Sequence, residues 1–204
     1  MNLKNKSINI GYIAVFLFLS GIAALLIHRN YEQKKERYYA RLIGELKTAY
    51  DVITLSNSES AQIAFSSQIN QPEILDLFKQ ARSADENRRD SIRQNLYEKL
   101  SPLYERLTLR DVRQLHFHLP DCESFLRFHR PTKYGDNLKG VRYSVEKANA
   151  DLVRVTGFEE GRIFNGFRNV FPLIYEGEHL GSVEVSMEFD AIRKRMEQQF
   201  PQSL

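Results

Sequence analysis

LHFHLPDCESFLRFH, residues 115–129, is the stretch on which the fold turns. Apolar and polar side chains alternate through its first half. An extended strand therefore puts Leu115, Phe117 and Leu119 on one face and His116 and His118 on the other. Pro120, Asp121, Cys122 and Glu123 then read as a turn, and a second strand follows in which Leu126 and Phe128 oppose Phe125, Arg127 and His129. The two strands, 112–119 and 124–129, form a hairpin. Paired face to face, they offer an apolar surface on one side. The other side gathers three histidines and an arginine.

Downstream, the GDN triplet at 135–137 marks a loop, and a short helical region runs to about residue 152. Strands are expected at 155–163, 167–175 and 180–189, with Glu176, Gly177 and Glu178 joining the last two. Five strands with helices inserted after the second make an antiparallel α+β module. Residues beyond 190 return to a basic helical start, with Arg193, Lys194 and Arg195, and that helix stops at Pro201.

Upstream of the hairpin the period is helical. Tyr39, Leu42, Leu46, Ala49 and Ile53 recur at steps of three and four, the seam of an amphipathic or coiled-coil helix over 31–56. This seam either packs on the chain's own domain or joins two copies. The Ser- and Asn-rich 56–67 reads as a softer continuation. Pro72 suits a first helical position, with Ile74, Leu75, Phe78 and Ala81 inward. A third helix from about 85 to 108 carries Ile92, Leu96, Leu100, Leu103 and Leu107 on one stripe. Pro102 is expected to kink or restart it, and Arg88, Arg89, Arg93 and Glu98 to form a solvated outer face.

The N-terminus differs in kind. Residues 7–27 hold no charge across 21 positions, which as a helix rising about 1.5 Å per residue reaches roughly the 30 Å of a bilayer core. A signal anchor, a cleaved signal peptide and a buried helix compete. The run exceeds the ~7–15 apolar residues of a signal peptide and lacks a convincing A-x-A site, which favours the anchor. Lys4 and Lys6 precede it; Arg29, Lys34, Lys35, Arg37 and Arg41 follow, and a literal count of basic residues would place the C-terminal side in the cytoplasm. No Gly or Pro separates the span from the stalk helix, so one continuous rod is expected. Across all 204 residues, 42% are hydrophobic and 27% charged, a globular mix rather than a disordered one. The 29 basic and 26 acidic residues leave only +3, too balanced for a dedicated nucleic-acid binder. The lone Cys122 excludes an internal disulfide framework and a multi-cysteine zinc site.

Four chemistries could use the histidine-rich face. It could be a solvated outer surface. His116, His118 and His129 could hold a metal, although an H-x-H pair is weak and no nearby carboxylate completes a familiar motif. Catalysis needs a base-oriented nucleophile or paired carboxylates, and neither is evident, so no enzyme activity and no cofactor are expected. The fourth is a pocket for an anion or small polar molecule, with arginine as a two-pronged donor and histidine as a donor that changes charge near pH 6.5. Arg142 after the GDNL loop, Glu159 in GFEEGR and Arg168 in GFRNVFPL extend that pocket. Gly157, Gly161 and Gly166 do not have the spacing of a phosphate loop, and mark strand bends or close backbone approach.

The runs LHFHLPDCESFLRFHRPTKYGDNL, VRYSVEKANADL and GFEEGRIFNGFRNVFPLIYEGEHLGSVEVS resemble the extracytoplasmic double Cache sensor family, the input regions of bacterial chemoreceptors, sensor histidine kinases and diguanylate cyclases. The resemblance covers about 111–190. It implies a PAS-like sheet on a long stalk helix, with a ligand pocket between sheet and inserted helices. It places His116, His118, Arg127, His129, Arg142, Glu159 and Arg168 at recurrent motif positions as expected ligand-binding residues. It also implies a periplasmic module on a single-span inner-membrane anchor, against the basic-residue count. The resulting division is a cytoplasmic 1–7, a span at 8–28, a helical stalk and bundle at 29–110, the sensor module at 111–190 and a C-terminal helical segment at 191–204. The expected partners are the membrane, a small-molecule ligand and a second copy through the stalk, but no nucleic acid. The alternative is a periplasmic module that docks a partner subunit or binding protein without its own ligand. A double Cache sensor carries a second PAS-like module, a second span and an output domain. The chain ends at Leu204 without them, so the resemblance implies a fragment, a shortened product or a stand-alone accessory sensor.

Overall fold

The computed structural model describes residues 3–161 and 165–199, with side chains from residue 11 onward. The hairpin forms as the alternation requires: β1 (Val112–His118) pairs antiparallel with β2 (Ser124–Arg127). Three further strands, β3 (Val155–Glu159), β4 (Gly166–Tyr175) and β5 (Glu178–Glu188), complete an antiparallel sheet in the order β2-β1-β5-β4-β3. The strand expected over 155–163 ends at Glu159, and 162–164 lie outside the described residues.

One side chain changes face. His116 lies opposite Arg127 and Phe117 opposite Leu126, but His118 lies opposite Ser124. Phe125 is thus the extra residue of a bulge. It joins the apolar side, with its ring 5.3 Å from Phe78, where strict alternation would have grouped it with Arg127 and His129. The driving force is ordinary: fully burying a Phe side chain stabilises by about 1.5–3 kcal/mol.

Directly paired residues share a face, so the sheet's two sides can be read from register. Leu115, Phe117, Val183, Val185 and Phe171 pack on Ala61 and Ala64 of α1 (Leu3–Ala64), on α2 (Pro72–Gln80) and on α3 (Glu86–Thr108), the main core. The other side presents His116, His118, Ser182, Glu184, Ser186, Arg168 and Val170. It is covered by α4 (Tyr143–Asp151), whose Val145 and Ala148 cluster with Val170, Leu138 and Cys122. Ile53, Met187 and Ile192 of α5 (Phe189–Gln199) form a third, small cluster. The remainder of the expected C-terminal segment, from residue 200, lies outside the described residues.

Helix α1 (Leu3–Ala64) is continuous and ends in a π-helical turn, Phe65–Ile69. The chain divides into two units between Thr48 and Ala49. In the first, apolar side chains such as Phe16, Leu17 and Phe18 are exposed, and α1 is long and apolar enough to cross a membrane by length and composition. In the second, Ala49 and Ile53 are buried, so that end of the helical seam packs on its own domain. Tyr39 is exposed.

Helix α3 starts at an Asp85 cap, whose carboxylate accepts from the Arg88 amide at 2.8 Å. The helix runs through Pro102 without restarting. Arg93, expected on the solvated outer face, is buried. Its guanidinium lies over the Tyr134 ring at 3.6 Å and pairs with Glu86 and Asp90. A cation stacked on an aromatic ring and paired with carboxylates tolerates burial that a bare charge would not.

Candidate ligand-binding site

The α4-facing side of the sheet carries a dense, buried polar array. His116 and His118, two residues apart on β1, stand with ring centroids 4.0 Å apart. His116 Nε2 bonds the Ser124 hydroxyl at 2.8 Å, and His118 Nδ1 bonds that of Ser182 at 3.1 Å. Glu184, fully buried on β5, lies directly opposite His116. Its Oε1 accepts from Ser186 at 2.6 Å and from Arg168. Arg168 also pairs with Glu159 at 3.2 Å, and Glu159 accepts from the Ser144 hydroxyl at the start of α4. These contacts fasten β5, β4, β3 and α4 to one another through a chain of charge-assisted bonds.

Burial sets the protonation states. Desolvation, then the neighbouring His118 and Arg127, push His116 well below the usual histidine range. Desolvation lowers His118 to about 4 despite Glu184. His129 also falls to about 4, through burial and then Arg113 and Arg127. Burial alone would raise Glu184, but Arg168, His118 and the Ser186 hydroxyl hold it at about 2. The rings are therefore neutral, and the carboxylate is charged, at neutral pH.

Beside this array lies a cavity of about 240 Å³, lined by His116, Arg127, His129 and Arg142 together with Gln114 and the 130–141 segment. Four of the seven residues singled out in the sequence meet there. His118, Glu159 and Arg168 are not among its walls; they belong to the buried array. The two arginines with the strongest claim as anion forks are already engaged. Arg127 makes a two-pronged contact with Asp136 at 2.6 and 2.8 Å, and Arg168 holds Glu184 and Glu159. Arg142 is different. Its NH1 is buried without a hydrogen-bond partner among the described residues, as is His129 Nδ1. Burial and the nearby Arg168 both disfavour its charge, which an incoming anion would reverse. A larger hollow of about 470 Å³, lined by Tyr104, Arg113, Glu188 and Arg195, contains none of the seven.

Glu184 escaped the sequence reading, and with it the carboxylate that the histidines lacked. One donor atom from each of His116, His118 and Glu184 lies within 4.8 Å of the other two. The signal was present in SVEVS at 182–186: the same alternation that sorted β1 puts Ser182, Glu184 and Ser186 on one face of β5. Of the glycines singled out, Gly166 marks close approach, since a Cβ there would sit 2.6 Å from the Met187 carbonyl oxygen, whereas nothing lies within 4 Å of one at Gly157.

Residues 35–203 match the model of a family described as the double sensory domain of two-component sensor kinase. Among solved structures, the Escherichia coli DcuS sensor domain superposes with a TM-score of 0.52 at 13% identity, covering 74% of this chain and 98% of that one. The sensor domain of the Vibrio cholerae histidine kinase DctB gives 0.50 at 16% identity, covering 79% of this chain and 61% of that one. At such identities the likeness is one of fold. No curated protein sequence matches the chain.

Proposed function

Because the chain belongs to the double sensory domain family of two-component sensor kinases, we propose that it is a membrane-anchored sensor domain that binds a small anionic ligand. The ligand would occupy the cavity between the sheet and the 130–142 segment. The reading rests on one observation: Arg142 NH1 and His129 Nδ1, both buried and unpartnered, at a cavity of about 240 Å³. An unsatisfied buried polar group costs about 1–3 kcal/mol, and an incoming carboxylate would accept from Arg142 NH1. Arg127 then acts by positioning, since it ties Asp136 and the Lys133 carbonyl to β2. Glu159 and Arg168 brace α4 against β3, β4 and β5, and His118 lies behind His116.

Residues 8–28 anchor the chain in a bacterial inner membrane, with the module in the periplasm and the stalk paired with a second copy. Ligand binding favours one packing of α4 and the loop on the sheet, and the shift reaches the stalk through the opposite face. Moving a two-state stalk from 1:99 to 99:1 takes about 5.5 kcal/mol of differential binding; smaller shifts suffice for graded signalling.

Thermal denaturation of the full chain in detergent, against a panel of small carboxylates, amino acids and phosphates, tests this. A ligand at 100 times its Kd adds about 2.7 kcal/mol, and Arg142→Ala should remove that gain. A hit equally strong in Arg142→Ala would defeat the cavity. A panel without hits would favour docking of a partner protein instead.

A further inference from the structure

We propose that His116, His118 and Glu184 form a binding site for one divalent transition-metal ion of the zinc class, on the α4-facing side of the sheet. The geometry comes from strand register. Glu184 is the direct cross-strand partner of His116, and His118 is two residues further along the same face, opposite Ser182. All three are buried, with donor atoms mutually within 4.8 Å.

Each candidate ligand is already held by one of its two donor atoms. Ser124 holds His116 Nε2, Ser182 holds His118 Nδ1, and Arg168 and Ser186 hold Glu184 Oε1. Metal-binding imidazoles and carboxylates are oriented in this way: the outer hydrogen bond fixes the ring or carboxylate and leaves the other atom for the ion. The other atoms are His116 Nδ1, His118 Nε2 and Glu184 Oε2. The last two are buried and have no hydrogen-bond partner among the described residues. Two orphaned polar atoms in one desolvated cluster are costly to maintain, and a cation bound by Glu184 Oε2 and the deprotonated His118 Nε2 would satisfy both. Ordinary surface histidines show neither the orphaned atoms nor the outer supports.

Two imidazoles and one carboxylate select the class. This donor set suits zinc and its neighbours, whereas calcium and magnesium take oxygen ligands. Ligand bonds of about 2.0–2.2 Å require the three donors to draw closer than they stand, through small side-chain rotations. Three protein ligands leave a fourth position. His116 also lines the cavity, so water or a ligand oxygen entering there could fill it. The metal site depends on the sheet face alone and not on what the cavity binds, so either reading can fail without the other.

The test uses the full chain in detergent, without an affinity tag and stripped by chelator, titrated with Zn²⁺ or Co²⁺ alone. The expected result is one metal per chain, a rise in Tm and a visible Co²⁺ spectrum of low-coordinate type. Glu184→Gln and His118→Gln should each abolish the spectrum, and His129→Gln should leave it intact. Should the buried variants fail to fold, Ser182→Ala decides: it removes only the outer support of His118 and should weaken binding by about 10–100-fold. No bound metal in the wild-type chain overturns the site. So does binding that survives Glu184→Gln and His118→Gln, or Ser182→Ala at full strength.

Discussion

Arg127 shows how an arginine that looks like a ligand fork in sequence becomes part of the wall. Its two-pronged bond to Asp136 is charge-assisted and its side chain is buried, so Arg127→Lys, which keeps the charge but loses the fork, should cost about 1–3 kcal/mol. Urea denaturation measures this, and an unchanged midpoint would show the pair to be ornamental. The histidines carry a second prediction. His118 and His129 titrate near 4 when folded and His116 lies well below its usual range, while the unfolded chain takes up these protons below about 6.5. Depressed values mean that stability is fully present above 6.5 and falls as pH drops toward 4. Glu184 extends the loss below pH 4.5, because its carboxyl stays ionised to about 2. Tm measured from pH 7 to 4 should fall steadily, and a flat profile would contradict neutral, buried rings. The groups around His129 are Arg113, Arg127, Arg130 and Glu184, so His129→Gln should flatten part of the fall.

Among the elements, β5 bears the most. It is central between β1 and β4, and Gly181 lets it approach β1: with φ +136, a Cβ there would overlap the His118 carbonyl oxygen. Gly181→Ala should therefore destabilise by about 2 kcal/mol or more, read as a lowered denaturation midpoint. A neutral result would show that β1 and β5 can part without cost. Strand alternation made the hairpin and three of the cavity's side chains, His116, Arg127 and His129, legible in the sequence; Arg142 came from its place after the GDNL loop. Three things were not legible, each for a physical reason. The bulge at Phe125 is a cross-strand event that no single strand encodes. Arg93 reads as solvated until Tyr134, far along the chain, folds over it. Alternation in SVEVS puts Glu184 on one face with Ser182 and Ser186, but only cross-strand register makes that face the one His116 shares. Long-range polar contacts stayed equally hidden. Arg154 reaches Ser58 and Gln62 of α1 and Asn169 of β4, and Asn169 bonds Asn57 at 3.1 Å. This clasp fixes the end of α1 to the sheet.

On the scale of the whole molecule, membrane topology has a direct measurement. An alkaline-phosphatase fusion after Leu204 should be active if the module faces the periplasm, and an inactive but stable fusion would favour the orientation that the basic-residue count suggests. Labelling of Cys122 is the poorer probe, because that thiol is buried and burial also raises its pKa. The two-sided sheet has one further consequence, for length variation in the gene. Sequence neighbours on β1 serve opposite layers: His116 faces the polar array, and Phe117 faces Phe78 at 5.5 Å. One codon added within β1 would exchange every downstream side chain between the layers, burying histidine in hydrocarbon and phenylalanine among the charges. Relatives of this chain should thus accept insertions around the exposed Thr132 and carry β1 at constant length.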